Sequence, residues 1–347
     1  MKYLKRTIIF FIFFILIHIE IFANEPEICS PSAILINSNT GEVLYEKNSN
    51  SLMFPASTTK ILTAIIAIEH CSLDTKIKAS ENAITSIKKG YTNANIQVDE
   101  ELSLEDLLYA LLLSSANEAA NVIAEYIGGT IENFANMMTS KAIELSCFNT
   151  HFTNANGIHD DNHFTTASDL AKIARYCMQN KTFRKIICTK EYTLPSTPQY
   201  PKNDRILKNT NSLMSEQSAY YYPYVIAGKT GFTTQAKNCL VAVSQKDGLE
   251  LISVVLHAEA TEDGRSARYL DTINLLEYGN TNYAIPPQPE IQENTSINES
   301  SEEFQNENKK NIHFSLFIYI LLILLLIRIL FFIISKIINH FKKENMF

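Results

Sequence analysis

A mixed α and β fold is what the sequence predicts, with strands near the two ends of one folded region and helices between them. Three observations lead there. Near the start, the apolar run Ser32–Asn37 meets a second strand-like stretch, Glu42–Glu46, across the turn Asn39-Thr40-Gly41. Between Pro55 and Ala171 lie several apolar or periodic segments of helical length, each with a recognisable start signal. Near the end, Asn238–Ser244 and Leu249–Leu256 flank Lys246-Asp247-Gly248, which reads as a hairpin.

The chain has 347 residues, enough for one large domain or two small ones, and a net charge of −7. No basic stripe runs through its middle, which argues against a nucleic-acid partner. Lys2, Lys5 and Arg6 precede the apolar stretch Thr7–Ile19, and Ala23 ends a passable cleavage site, so residues 1–23 read as a signal peptide. The alternative is an uncleaved anchor; on either reading the chain is exported. Residues 24–285 form the expected folded domain. Pro286, Pro287 and Pro289 then open a polar stretch, 286–313, that has too few apolar residues for a core and reads as a disordered stalk. Residues 314–335, nearly all Leu, Ile and Phe, are long enough to cross a bilayer, with Arg328 snorkelling toward the C-terminal side. Lys336, Lys342 and Lys343 suit a cytoplasmic tail over 336–347, although Lys309 and Lys310 weaken that charge rule. The exported N-terminus sets the orientation, with the folded domain outside. The six cysteines, Cys29, Cys71, Cys147, Cys177, Cys188 and Cys239, are scattered without metal-ligand spacing and give no pairing.

Taken in order, the first hairpin is followed by Pro55-Ala56-Ser57-Thr58-Thr59-Lys60 and the apolar run Ile61–Ile68. Proline before a helical pattern marks a helix start, because its φ suits the first turn and it has no N–H to leave unpaired. Lys76–Val98 gives no clear pattern. Ser103 then caps a buried helix over Leu104–Leu113, with Asp106 placed to complete the cap. A polar junction, Ser114-Ser115-Ala116-Asn117, leads to another helix from Glu118, and Ile131–Leu145 is a third, amphipathic one. Phe152–His163 is a polar loop, and Thr165–Ala171 opens a capped helix. Ile186–Pro195 and Ile206–Leu213 read as strands or edges. The terminal sheet hairpin follows, then a closing helix over Arg268–Tyr278.

Three short motifs carry chemistry. Ser57 lies near a helix start and Lys60 one turn on, so the amine can approach the hydroxyl. A serine hydroxyl needs a base to become nucleophilic, and a desolvated lysine is one. Ser115 and Asn117 sit at an interior helix junction, where buried polar groups must find partners, either local backbone or a ligand. Lys229-Thr230-Gly231 leads into a strand; Lys229 supplies fixed charge and Gly231 permits a close approach. His159 and His163, with Asp160 and Asp161 between them, invite a metal or general-base reading, but no third zinc ligand is spaced for it and a solvated loop is the plainer reading.

Ser-x-x-Lys, Ser-x-Asn and Lys-Thr-Gly in that order resemble the serine D-alanyl-D-alanine carboxypeptidases, the low-molecular-mass penicillin-binding proteins. The resemblance covers roughly Ser32–Tyr283 and includes Thr40–Leu44, Pro55–Lys60, Leu113–Ala120, Asn156-Gly157-Ile158, Gly228–Thr233 and Leu275–Gly279. It implies a penicillin-binding protein/β-lactamase-like fold: a five-stranded antiparallel sheet flanked by helices, plus a helical cluster that holds Ser57. It implies Ser57 as nucleophile, Lys60 as base, Ser115 as proton relay and Asn117 as positioner of Lys60 and substrate. Lys229 and Thr230 would hold the substrate carboxylate, beside Gly231, with Arg268 or Arg265 adding charge. The backbone N–H groups of Ser57 and Phe232 would form the oxyanion hole. No metal or organic cofactor is implied. The implied reaction removes the terminal D-alanine of peptidoglycan stem peptides in cell-wall remodelling, with β-lactams as covalent inhibitors. Departures are Ala116 where glycine is usual, Lys237 after Ala236, and no small β-rich second domain before the C-terminal span. Rival readings are an endopeptidase or transpeptidase on the same bond type, a β-lactamase (for which no Glu-x-x-Leu-Asn follows the middle motif) and a non-catalytic wall-binding module.

Overall fold

Residues 25–283 are described by a computed structural model of the chain. The expected signal segment, stalk, membrane span and tail lie outside the described residues. Among the described residues no helix is long and apolar enough to cross a membrane.

The first hairpin forms as its sequence dictates: β1 (Ser32–Asn37) and β2 (Val43–Lys47) pair antiparallel, and the turn places Gly41 at φ +80°. The chain then makes a 3-10 turn, Ala56–Thr59, which runs straight into helix α1 (Lys60–His70). Here the structure departs from the simple helix-start reading. Ala56 has φ +48°, so Ser57 rides on a sharp turn ahead of the α-helix and Lys60 is that helix's first residue. The stretch without a pattern resolves into β3 (Lys76–Lys78), helix α2 (Glu81–Thr85), irregular backbone and β4 (Glu101–Ser103), which pairs with β3.

Helix α3 (Leu104–Leu112) begins in the expected capping box: Ser103 accepts the Asp106 N–H, and the Asp106 carboxylate accepts the Ser103 N–H. Helices α4 (Asn117–Gly128) and α5 (Ile131–Glu144) follow. Helix α6 (Ala167–Gln179) is capped by the Thr166 hydroxyl, which accepts from Asp169 N–H. Helix α7 (Lys181–Ile187) corrects the strand reading of Ile186: the Asn180 side chain accepts from the N–H groups of Thr182 and Phe183 and caps a short helix, so strand structure there shrinks to β5 (Glu191–Thr193) and β6 (Ile206–Lys208). The predicted edge over Leu213 is a 3-10 turn, Ser212–Met214.

Strands β7 (Val225–Thr233), β8 (Lys237–Lys246) and β9 (Leu249–Ala258) complete a five-stranded antiparallel sheet in the order β2-β1-β9-β8-β7. The β8–β9 turn has positive φ at Asp247 and Gly248, the geometry that matches strand twist. Helix α8 (Ala267–Asn282) closes the fold. Both sheet faces are buried, and alternate residues serve each. Ile34, Ile36, Val241, Val243, Ile252 and Val254 join the core shared with the central helices, whereas Ala33, Leu35, Leu240, Ala242, Leu251 and Val255 join the core that contains Leu275 and Leu276 of α8. That two-sided burial is why these strands read as continuous apolar runs. All six cysteines are free thiols.

Candidate active site

Strand β7 is a sheet edge, and the Ser57 turn lies against it. A methyl on Gly231 would stand 3.0 Å from both the Pro55 carbonyl oxygen and the Ser57 nitrogen, so glycine is what lets strand and turn approach this closely. On the other side of the turn, Gly157 has φ +82°, and a methyl there would fall 1.9 Å from the Ala56 carbonyl oxygen. The Ser57 turn is thus gripped between a strand and the Asn156–Gly157 loop.

Lys60 is wholly buried. Its Nζ lies 2.9 Å from Ser57 Oγ, 2.9 Å from Asn117 Oδ1 and 2.5 Å from the Asn156 carbonyl oxygen. The last two atoms only accept, so they occupy two N–H bonds of the amine. In a neutral amine the remaining tetrahedral direction is the lone pair, and Ser57 Oγ stands there. Burial first, then the like charge of Lys229, hold this amine well below the usual lysine value; Glu118 pulls weakly the other way. Asn117 is oriented in turn, because its Nδ2 donates to the Thr92 carbonyl at 2.8 Å. Ser115, at φ +60°, turns between α3 and α4 and lines the cleft.

The cleft has a volume of about 450 Å³. Ser57 and Ser115 line it together with Thr230, Gly231, Phe232 and Arg268. Lys229 of β7 is buried with Nζ donating to the Thr230 carbonyl at 3.0 Å; burial, then Arg268, bring its amine down to about 7. The Thr230 hydroxyl is 2.7 Å from that of Thr210. Arg268 stacks on the Tyr269 ring with Nη1 3.4 Å from the Gly231 carbonyl, whereas Arg265 is exposed and paired with Asp263 at 2.6 Å. Of the two arginines, Arg268 is the one at the cleft. The Phe232 ring is well exposed on the rim.

The seven motif residues, and Phe232 and Arg268 beside them, therefore gather at one cleft or directly behind it. The two loop histidines part company. His163 is buried, not solvated: Nδ1 accepts the Thr153 N–H at 3.2 Å, so Nε2 carries the proton and donates to Thr59 Oγ1 at 2.8 Å. Burial brings its ring down to about 3. His159 lines the cleft with its ring edge-on to Phe54 at 4.7 Å. Sequence reasoning gave no role to Asn156, Thr92, Thr210 or Glu118. For Asn156 the available signal was the Asn-Gly turn; for Glu118 it was an acid in the first turn of a mostly apolar helix. Among the described residues no three His, Cys, Asp or Glu side chains are gathered to hold a metal ion.

Comparison with known proteins gives a consistent picture. A family model described as D-alanyl-D-alanine carboxypeptidase matches residues 20–260. The chain is 34% identical over 261 residues to D-alanyl-D-alanine carboxypeptidase DacF of Bacillus subtilis, covering 74% of this chain and 63% of that protein. It is 31% identical over 268 residues to the D-alanyl-D-alanine carboxypeptidase of Streptomyces sp. strain K15, covering 74% of this chain and 88% of that one. A solved structure described as the Streptomyces K15 DD-transpeptidase superposes with a TM-score of 0.67 at 30% identity, covering 74% of this chain and 99% of that chain.

Proposed function

Because the chain belongs to the D-alanyl-D-alanine carboxypeptidase family, we propose that it removes the terminal D-alanine from peptidoglycan stem pentapeptides through an acyl-enzyme on Ser57. The observation that carries the reading is the Lys60 amine, buried, held well below the usual lysine value by that burial, and placed 2.9 Å from Ser57 Oγ with two acceptors on its other sides.

That geometry and the family resemblance together support the following scheme. Lys60 takes the Ser57 hydroxyl proton as Oγ bonds to the carbonyl carbon of the penultimate D-alanine. The oxyanion that forms is stabilised by the backbone N–H groups of Ser57 and Phe232. As the C–N bond breaks, the proton on Lys60 passes by way of Ser115 to the departing amine, and D-alanine leaves. Water then attacks the ester; one proton returns to Ser57 Oγ, and the shortened peptide leaves as its acid. Lys229, Thr230 and Arg268 hold the substrate's terminal carboxylate, and Asn117 keeps Lys60 in place. A β-lactam enters by the same first step and stays bound as an ester of Ser57.

Transfer of the acyl group to an amine in place of water is the second reading, supported by the likeness to the Streptomyces K15 DD-transpeptidase structure. The basic n-region before Thr7–Ile19 and the apolar run 314–335 support an exported enzyme held at the membrane by its C-terminal segment.

The test is D-alanine release from a pentapeptide ending in D-Ala-D-Ala, by the full-length chain and by Ser57→Ala. Release that Ser57→Ala abolishes is the expected result. Penicillin labelling without release would move the reading to transfer or to another substrate, and neither labelling nor release would end the enzyme reading.

A further inference from the structure

Glu118 has no task in this scheme, yet it is a buried acid one residue from Asn117. Its Oε1 accepts the backbone N–H of Ala94 at 2.6 Å and lies 3.5 Å from the N–H of Ile96; Oε2 is buried with no partner. Burying a carboxyl with one oxygen unpaired is costly, so the position calls for a reason. The segment it grips is irregular backbone between α2 and β4, and Gly90, Tyr91 and Thr92 of that segment form one wall of the cleft. Two residues in succession on α4 hold this wall. Asn117 donates to the Thr92 carbonyl through its backbone N–H at 3.1 Å and through Nδ2 at 2.8 Å; Glu118 then takes Ala94. The far end of the wall is fixed separately: Gln97 N–H donates to Glu100, which is buried against Arg205 at 2.6 Å. The one amide that orients Lys60 is therefore tied to the wall at its other end, and Glu118 holds the wall where Asn117 meets it.

We propose that Glu118 is a positioning residue: it pins the Gly90–Gln97 wall to the helix that carries Asn117, so that the amide on Lys60 and the Tyr91 lip over the substrate are set as one unit. This rests on the carboxypeptidase reading for its substrate. The requirement is an acceptor at a given reach, not a charge, since a glutamine oxygen at the same place takes the same N–H groups.

The experiment uses the full-length chain with Glu118→Ala, Glu118→Gln and Glu118→Asp. In Glu118→Ala, amide exchange at Ala94 and Ile96 should quicken while exchange in α1 and β7–β9 stays unchanged, and kcat/KM for the D-Ala-D-Ala peptide should fall about 10- to 100-fold. Glu118→Gln should stay within about threefold of the parent, whereas Glu118→Asp, charged but one methylene short, should be impaired. That order of Gln above Asp keeps the test alive if Glu118→Ala does not fold. Unchanged wall exchange in Glu118→Ala, faster exchange with undiminished kcat/KM, or Asp equal to or better than Gln would each overturn the proposal. A parent that releases no D-alanine would count against the reaction and not against the clamp, because exchange and the rate of benzylpenicillin acylation at Ser57 still report on the wall.

Discussion

In the proposed scheme the two buried lysines have opposite duties, and pH separates them. Lys60 acts uncharged, so activity rises with pH as its depressed amine loses its proton. Lys229 acts charged, and its amine lies at about 7, so its hold on a substrate carboxylate weakens as pH rises past that point. Measured on the free enzyme, kcat/KM should show an alkaline limb near 7 set by Lys229. Lys229→Arg keeps the cation at every accessible pH and should carry that limb upward, even if its bulk lowers the plateau. An alkaline limb that stays put in Lys229→Arg would assign it to another group. The motifs made both lysines legible, because the reaction demands their residue types at fixed places. Asn156 was harder to read. What it gives Lys60 is a backbone carbonyl, and no side-chain identity advertises a carbonyl. Glu118 was hidden for a similar reason, since its partners are N–H groups in a stretch without secondary structure.

Among the elements, strand β7 and the Ser57 turn depend most on each other. Gly231→Ala puts a methyl 3.0 Å from Pro55 O and Ser57 N, so strand or turn must shift by a few tenths of an ångström. Acylation of Ser57 by benzylpenicillin should slow about tenfold or more, while the urea midpoint changes little, since the strand keeps its pairing with β8. A normal acylation rate would show that the contact is not part of the site's geometry. Element by element, local signals were the readable ones. The Ser103–Asp106 box and the Thr166–Asp169 cap lie within four residues and formed as expected. The β8–β9 turn did so too. The 3-10 turn at Ser57 was not readable, because the positive φ of Ala56 sits among tertiary contacts, with β7 on one side and Gly157 on the other, that no local pattern announces. Helix α7 was misread because Ile186 and Ile187 carry a strand's composition, and the decisive cap, Asn180, stands ahead of them.

At the scale of the whole molecule, buried ionisable groups set how stability responds to pH. His163 takes a proton at about 3 when folded against an ordinary 6.5, so the unfolded chain binds more protons between those values. Stability therefore falls as pH drops through that window, by an amount on the order of a few kcal/mol when complete. Urea unfolding of parent and His163→Asn should show it. The variant should be weaker near neutrality, having lost the bond to Thr59, yet lose less than the parent on acidification. Parallel losses in both proteins would assign the acid sensitivity to the carboxylates. Global topology was legible only through resemblance. The order β2-β1-β9-β8-β7 joins strands from opposite ends of the domain, and no local pattern announces such a pairing. In that pairing Ser32 stands opposite Leu256 and Asn37 opposite Leu251. The ribosome thus delivers Ser57 early and the sheet edge against which its turn packs late. Until β9 has been made, β1 lacks its inner neighbour and β7 has no finished sheet to edge. A nascent chain therefore carries the Ser57 turn through much of its synthesis before the sheet that packs against that turn can close.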